Sequence, residues 1–278
     1  MKKILIVGAG AMGAAFSIPL LDNGHSVALT EPYNFKLLKK LNSKKKIHPS
    51  LNINLPKKLK INKFSSEILN RKWDLIVIAV SSIGIDLIGK NLSKVKNKSP
   101  ILVLTKGLKL DGRNLISMSS LLKKYNKNLN ISVLKGPCLA KELSRKVKSF
   151  TVVANKNINT AKKIGKLIST NYYQTEFSRD VRGVEFLSAI KNIYSMIIGA
   201  GQWHNTSSAL FKKSIDEMKY LVNYFKGKNE TVYGLAGLGD LYVSAMGGRN
   251  SKMGEYLGKG YTFAQAKKKF MKNDTVEG

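Results

Sequence analysis

Six residues near the start of the chain constrain its fold more than any other feature. Gly8-Ala9-Gly10-Ala11-Met12-Gly13 directly follows a short apolar run, Lys3–Val7, and opens a second apolar stretch, 11–23, that stops at Gly24. A G-x-G-x-x-G string alone is weak evidence. Between a strand and a helix, however, each glycine has a task. Gly8 permits the tight turn, Gly10 lets a pyrophosphate approach the backbone, and Gly13 allows the helix to pack closely on the strand. The phosphates of a dinucleotide then meet the positive end of the helix dipole, beside Ala11 and Met12.

Glu31 lies 18 positions beyond Gly13, at the end of a second apolar run, 26–30. An acidic group there accepts hydrogen bonds from adenosine ribose hydroxyls and repels a 2′-phosphate, which favours NAD over NADP. Lysines nearby, such as Lys36, oppose that preference. The competing reading of Glu31 is a solvent-facing loop carboxylate.

The first half continues as short apolar runs, 73–80, 100–105, 131–134 and 150–154, separated by helical patterns such as 34–42. Near-continuous apolar strands alternating with helices predict an α/β fold with a parallel, doubly wound sheet. The span 43–60 reads as a polar excursion. After about residue 180 the texture changes, with Val184, Leu187, Ile190, Ile193 and Ile197 forming one apolar helical face, and 208–225 continuing as helix. The expected organisation is a dinucleotide-binding domain over 1–180 and an all-α domain over 181–278, with sites at their junction.

The 278 residues carry 48 Lys+Arg against 17 Asp+Glu, a net charge of +31. Only six of the basic residues are arginines, and the lysines are spread along the whole chain. That distribution fits a solvated surface better than a dedicated nucleic-acid interface. One cysteine, Cys138, excludes an internal disulfide framework and fits a reducing, cytoplasmic setting. No stretch is long enough to span a membrane. His25, His48 and His204 have no metal-ligand spacing and read as structural or solvated, so no metal is expected.

Several other segments carry chemistry, although each alone also fits a structural role. Thr105-Lys106-Gly107 puts a lysine at the carboxyl edge of the sheet. Gly136-Pro137-Cys138-Leu139-Ala140-Lys141-Glu142 opens a helix after another strand. Ala189-Ile190-Lys191-Asn192 sets a lysine and an asparagine in an apolar helix, where burial suits a lysine to proton transfer. A glycine-dense run, 234–241, ends at Asp240-Leu241 and leads to Gly248-Arg249-Asn250, an arginine fork for phosphate or carboxylate.

Taken in order, these segments resemble the NAD(P)-dependent glycerol-3-phosphate dehydrogenases over essentially the whole chain. The matching pieces are the glycine fingerprint, 105–107, 136–142, Val184-Glu185 through Lys191-Asn192, 236–241, Arg249-Asn250 with Gly254, and Val276-Glu277-Gly278. The resemblance implies a Rossmann-type domain followed by a helical domain, and reversible reduction of dihydroxyacetone phosphate for glycerophospholipid synthesis. By position, Lys191 is implied as proton donor and acceptor, with Lys106 as the second lysine orienting the same oxygen. Asp240 and Asn192 are implied at the reacting centre. Arg249 and Asn250 are the implied phosphate clamp, with Arg249 also near the cofactor, and Gly136, Cys138 and Gly248 are implied substrate contacts. Ala140 and Glu277 match cofactor-lining positions, and relatives suggest a homodimer.

This chain departs from the family pattern at several positions. Ala11 and Met12 replace Ser and an aromatic, Cys138 a Ser or Thr, Ser81 a Pro, and Gly248 a Ser, and the 240–249 loop reads as shorter. Relatives continue beyond Gly278, so a fragment is expected. A ketopantoate-reductase-like enzyme and a non-catalytic dinucleotide-binding protein are the alternatives.

Overall fold

The structure, a computed structural model, describes residues 1–96, 98–272, 274 and 276. The strands are β1 (Lys3–Val7), β2 (Ser26–Glu31), β3 (Ile47–His48), β4 (Ile53–Asn54), β5 (Lys60–Lys63), β6 (Leu75–Ile78), β7 (Ile101–Val103), β8 (Leu108–Asp111), β9 (Asn114–Ser117), β10 (Ile131–Lys135), β11 (Ser149–Ala154) and β12 (Tyr173–Ser178). Helices α1 (Ala11–Asp22), α2 (Phe35–Leu41), α3 (Ser66–Asn70), α4 (Ile85–Ser93), α5 (Met118–Tyr125), α6 (Ala140–Ser144) and α7 (Ile158–Ile168) alternate with them. The chain divides into two compact units, Met1–Leu134 with Cys138–Val181, and Lys135–Pro137 with Arg182–Gly278.

In the first unit, among the described residues, eight strands form one sheet in the order β12-β11-β10-β7-β6-β1-β2-β5. The reversal at β1 is the switch point where such sheets hold dinucleotides. β1 pairs in parallel with β2 and β6, β2 with β5, and β7 with β6 and β10. The sheet is not wholly parallel, as the apolar runs alone suggested. Asn155, just past the end of β11, donates to Ile131 O at 3.0 Å and Ser132 Oγ at 2.7 Å, at the start of β10. The end of one strand beside the start of its neighbour is an antiparallel pairing. The core is aliphatic, with Ile4, Ile6, Leu29, Leu75, Val77 and Leu102 buried around α1, and Phe16 edge-on to Tyr173 at 6.0 Å.

The span read as a polar excursion contains structure. Leu51, Leu55 and Leu59 are buried in the main core, β3 and β4 form a short antiparallel pair, and β5 extends the sheet at the β2 edge. Its sequence, Lys60-Ile61-Asn62-Lys63, carries the charge that blunts an edge strand and hides its periodicity. Edge strand β12 and the β8–β9 hairpin, which turns at Gly112, likewise have no continuous apolar run.

The second unit contains α8 (Val181–Ala200), α9 (His204–Tyr224), α10 (Asn229–Tyr233), a π-helical turn (Leu235–Gly239), α11 (Asp240–Ala245), α12 (Arg249–Gly258) and α13 (Phe263–Lys269), with no strand after Arg182 among the described residues. The face of α8 expected to be buried is only partly so. Val184, Leu187 and Ile190 are buried, but Ile193 and Ile197 are 49% and 41% exposed. The buried stripe instead runs through Leu187, Ser188, Lys191, Tyr194, Ser195 and Ile198. Polar groups on that stripe find partners inside the unit, which hydrophobicity alone does not reveal. Helix α12 meets α8 backbone to backbone, since a Cβ on Gly254 would lie 1.9 Å from Met196 O.

Candidate active site

In the first unit the glycine loop is held from two sides. Gly8 has φ +110°, a conformation that favours glycine, and its N–H donates to Thr30 O at 2.8 Å. The carboxylate of Glu31 accepts from Ala9 N at 2.7 Å, while Nε2 of His48 meets Ala9 O at 3.0 Å. Gly10 caps α1 with no side-chain cap, so the first amides of that helix remain for a ligand. A Cβ on Gly10 would meet nothing within 4 Å, so open space faces the loop where a pyrophosphate would approach. These residues fit a dinucleotide. Ala11 and Met12 are half-buried at the start of α1.

Glu31 is 6% exposed, which excludes a solvent-facing loop carboxylate. His48 is 1% exposed, and nothing in the sequence signals its contact with a loop 39 residues earlier. Burial holds the imidazoles of His48 and His25 below their ordinary pKa of 6.5, against the opposing hydrogen bonds to Ala9 O and Leu167 O. The unfolded chain therefore binds more protons than the folded one once the pH falls below about 6.5, and stability drops there. Urea unfolding at pH 7.5 and 5.5 is expected to give a lower unfolding free energy at the lower pH. A flat or rising profile across that window contradicts the linkage.

Lys106 follows β7 and is half-buried, beside Thr105, whose Oγ1 donates to Val80 O at 2.7 Å. Cys138 is half-buried and hydrogen-bonds Tyr173, whose hydroxyl is pushed well above its usual pKa chiefly by burial. Ala140 opens α6, which is only five residues long.

In the second unit, four side chains converge. Lys191 Nζ, on α8, forms an ion pair with Asp240 at the start of α11, and it donates to Ser244 Oγ at 2.8 Å. Ser188, one turn before Lys191, donates to the other oxygen of Asp240 at 3.3 Å. Ser244 in turn donates to Asp240 O at 2.8 Å. Lys191 is 8% and Asp240 1% exposed. The desolvation expected for the lysine is thus met by an opposite charge. The sequence reading found Lys191 and Asp240 but missed both serines. Their spacings, three before the lysine and four after the aspartate, were the available signal.

Gly248 has a structural reason to lack a side chain, because a Cβ there would lie 2.4 Å from Ser244 O. That close approach seats the start of α12, with exposed Arg249 and half-buried Asn250, five residues beyond the serine that bonds Lys191. Gly136 is buried with φ +116°, and Pro137 packs at 3.6 Å from the position of a Cβ on Gly239, next to Asp240. Asn192 is half-buried, its carbonyl accepting from Ser195 Oγ at 3.0 Å. Glu277 lies outside the described residues. Among those residues no group of His, Cys, Asp and Glu is arranged to hold a metal ion, and no helix is long and apolar enough to cross a membrane.

A switch-point glycine loop on a Rossmann-type sheet, followed by a helical unit with a buried lysine–aspartate pair, defines a two-domain, dinucleotide-dependent oxidoreductase. Comparison with known proteins narrows the class. Residues 3–161 match the N-terminal profile, and residues 180–278 the C-terminal profile, of NAD-dependent glycerol-3-phosphate dehydrogenase. The chain belongs to this family. It is 28% identical to the NADP(+)-dependent glycerol-3-phosphate dehydrogenase of Archaeoglobus fulgidus, over 95% of this chain and 82% of that protein. It is 31% identical to the glycerol-3-phosphate dehydrogenase [NAD(P)+] of Fusobacterium nucleatum, over 100% and 84%. The crystal structure of glycerol-3-phosphate dehydrogenase from Coxiella burnetii is similar at TM-score 0.86 and 25% identity, covering 100% of this chain and 86% of that one.

Proposed function

We propose that this chain catalyses the reversible NAD(P)H-dependent reduction of dihydroxyacetone phosphate to sn-glycerol 3-phosphate, the head-group precursor of glycerophospholipids. The observation that carries the reading is the buried Lys191–Asp240 pair with Arg249 and Asn250 seated just beyond Ser244. Family matches in both halves of the chain support it over the ketopantoate-reductase-like and non-catalytic alternatives.

The nicotinamide, when bound, supplies a hydride to the carbonyl carbon. Negative charge then develops on the C2 oxygen, and Lys191 Nζ stabilises it and gives it a proton. Asp240, Ser188 and Ser244 hold that amine in one place, so little reorganisation is needed at the moment of reaction. Lys106 supplies the second cation at the oxygen, and Asn192 supports the substrate there. Arg249 and Asn250 grip the phosphate, with Gly136, Cys138 and Gly248 as the remaining substrate contacts. Gly8, Gly10, Ala11, Met12, Gly13 and Ala140 line the cofactor. The reading extends to a cytoplasmic homodimer, supported by the sparing use of cysteine and by the resemblance.

Oxidation of NADH or NADPH by dihydroxyacetone phosphate, followed near ~340 nm where reduced nicotinamide absorbs, is the direct test. Turnover is expected with this substrate, and its absence in a protein that binds the cofactor overturns the assignment. The clamp makes a narrower prediction. Arg249→Ala loses charge-assisted hydrogen bonds to phosphate and should raise KM for dihydroxyacetone phosphate about 100-fold, with a smaller loss in cofactor affinity. Equal losses would remove Arg249 from the phosphate site.

A further inference from the structure

The span 43–60, between α2 and β5, has no part in the reaction described above, yet it carries a buried titratable side chain. The imidazole of His48 is 1% exposed and reaches the glycine loop 39 residues earlier. Its backbone is well held. His48 pairs with Ile53 across the β3–β4 hairpin, and its carbonyl accepts from Asn52 N at 2.8 Å. Leu51 and Leu55 anchor the hairpin in the main core.

Nε2 of His48 lies 3.0 Å from Ala9 O. A carbonyl oxygen only accepts, so the ring proton sits on Nε2 and Nδ1 is the bare nitrogen. Nδ1 is buried and has no hydrogen-bond partner among the described residues. The ring therefore makes one polar contact, and that contact is with the loop. Burial holds the imidazole below its ordinary pKa, in the neutral form this tautomer requires.

The bond fixes a peptide unit that faces the ligand. Ala9 stands between two glycines, which leave the backbone free to turn, and its own N–H is tied to Glu31 at 2.7 Å. The Ala9 carbonyl shares a peptide plane with Gly10 N–H. That peptide is trans, so the two groups point in opposite directions. With the carbonyl drawn onto His48, Gly10 N–H is aimed the other way. The amide has no backbone acceptor among the described residues, and open space surrounds the position of a Cβ on Gly10. A hydrogen bond accepted by the carbonyl also polarises the amide, which strengthens it as a donor to an anion.

We propose that His48 is a positioning residue for the dinucleotide: by donating from Nε2 to Ala9 O, it holds the Ala9–Gly10 peptide with its N–H directed at the pyrophosphate. The proposal rests on the dinucleotide-binding part of the function proposed above and is independent of which carbonyl compound is reduced.

Fluorescence titration of the full chain with NADH, without any second substrate, tests it on three variants. His48→Leu keeps an apolar side chain in place but loses the donor, and should weaken NADH by about tenfold for one lost hydrogen bond. His48→Gln presents an amide N–H where Nε2–H stood and should restore most of that affinity. Leu51→Ala removes a core anchor of the same hairpin without touching the bond. It should lower the thermal midpoint and leave the affinity for NADH near that of the wild type. In the cofactor-free wild type at neutral pH, a long-range ¹H–¹⁵N spectrum of the ring should show a protonated Nε2 and a bare Nδ1. The Gly10 amide proton should move upfield in His48→Leu.

Undiminished affinity in His48→Leu would overturn the proposal. So would an equal loss in His48→Gln or in Leu51→Ala, which would assign the effect to packing of the hairpin. A proton on Nδ1 in place of Nε2 would overturn it from the wild type alone, whether or not the variants fold. A wild type that binds no NADH would instead overturn the dinucleotide reading itself, a result distinct from any change confined to the His48 variants.

Discussion

Replacing Lys191 by Met is expected to lower kcat by about 10⁴-fold while leaving the affinity for reduced nicotinamide nearly unchanged. The rate loss combines a missing proton donor with a missing cation at the developing alkoxide, each worth about 10²–10⁴ where it has been measured. The same change has a second consequence that the fold imposes. Asp240 is 1% exposed, and Lys191 is its ion-pair partner. Removing one member of a buried pair leaves an uncompensated charge and costs about 3–5 kcal/mol.

Lys191→Met alone should therefore lose both activity and stability. Adding Asp240→Asn should restore much of the stability and none of the rate. Steady-state kinetics, cofactor titration and urea unfolding of the two variants separate the effects. A double variant that recovers turnover would remove Lys191 from the chemistry. Unimpaired stability in the single variant would mean that Asp240 finds another partner.

The second large effect belongs to the glycine loop, where two neighbouring glycines should fail in different ways. A Cβ on Gly13 would lie 1.9 Å from Gly8 O and 3.2 Å from Ala79 Cβ, so either the loop or the helix must move. Gly13→Val should accordingly lose both fold stability and cofactor binding, the affinity falling by about 100-fold or more, since the backbone that cradles the pyrophosphate is displaced. A Cβ on Gly10 meets no protein atom within 4 Å, so Gly10→Ala should fold with a thermal midpoint near that of the wild type. Its methyl nevertheless projects into the space a pyrophosphate would take, and binding should weaken strongly there too. Calorimetry with cofactor titration distinguishes the two behaviours. Normal binding by Gly10→Ala would place the dinucleotide elsewhere.

The legible parts of this protein were those where local chemistry has one use. The strand–glycine–helix junction at 3–22 could be read because a buried strand, a left-handed turn and a close helix contact each demand particular residues in a fixed order. Strands β6 and β10, buried on both sides, announce themselves as apolar runs. Strands β5 and β12 do not, because an edge strand owes its place to pairing with a neighbour more than to its own hydrophobicity. The α8 face was misjudged at Ile193 and Ile197 for a related reason. The apolar period follows hydrophobic positions alone, whereas Ser188 and Lys191 are buried because Asp240 and Ser244 come to meet them.

By itself, then, the sequence determined the α/β-then-helical order of the chain, the glycine loop, and the identities of Lys191, Asp240, Arg249 and Asn250 as the chemically expressive residues. Only the tertiary structure decided what each polar group faces. It turned Glu31 inward onto Ala9, Tyr33 and Asn34, brought His48 under the same loop, and made Gly248 a packing requirement against Ser244. The physical reason is that backbone propensity and hydrophobic period act over a few residues. A hydrogen bond or an ion pair is satisfied by whatever the fold brings within about 3 Å, at any separation along the chain.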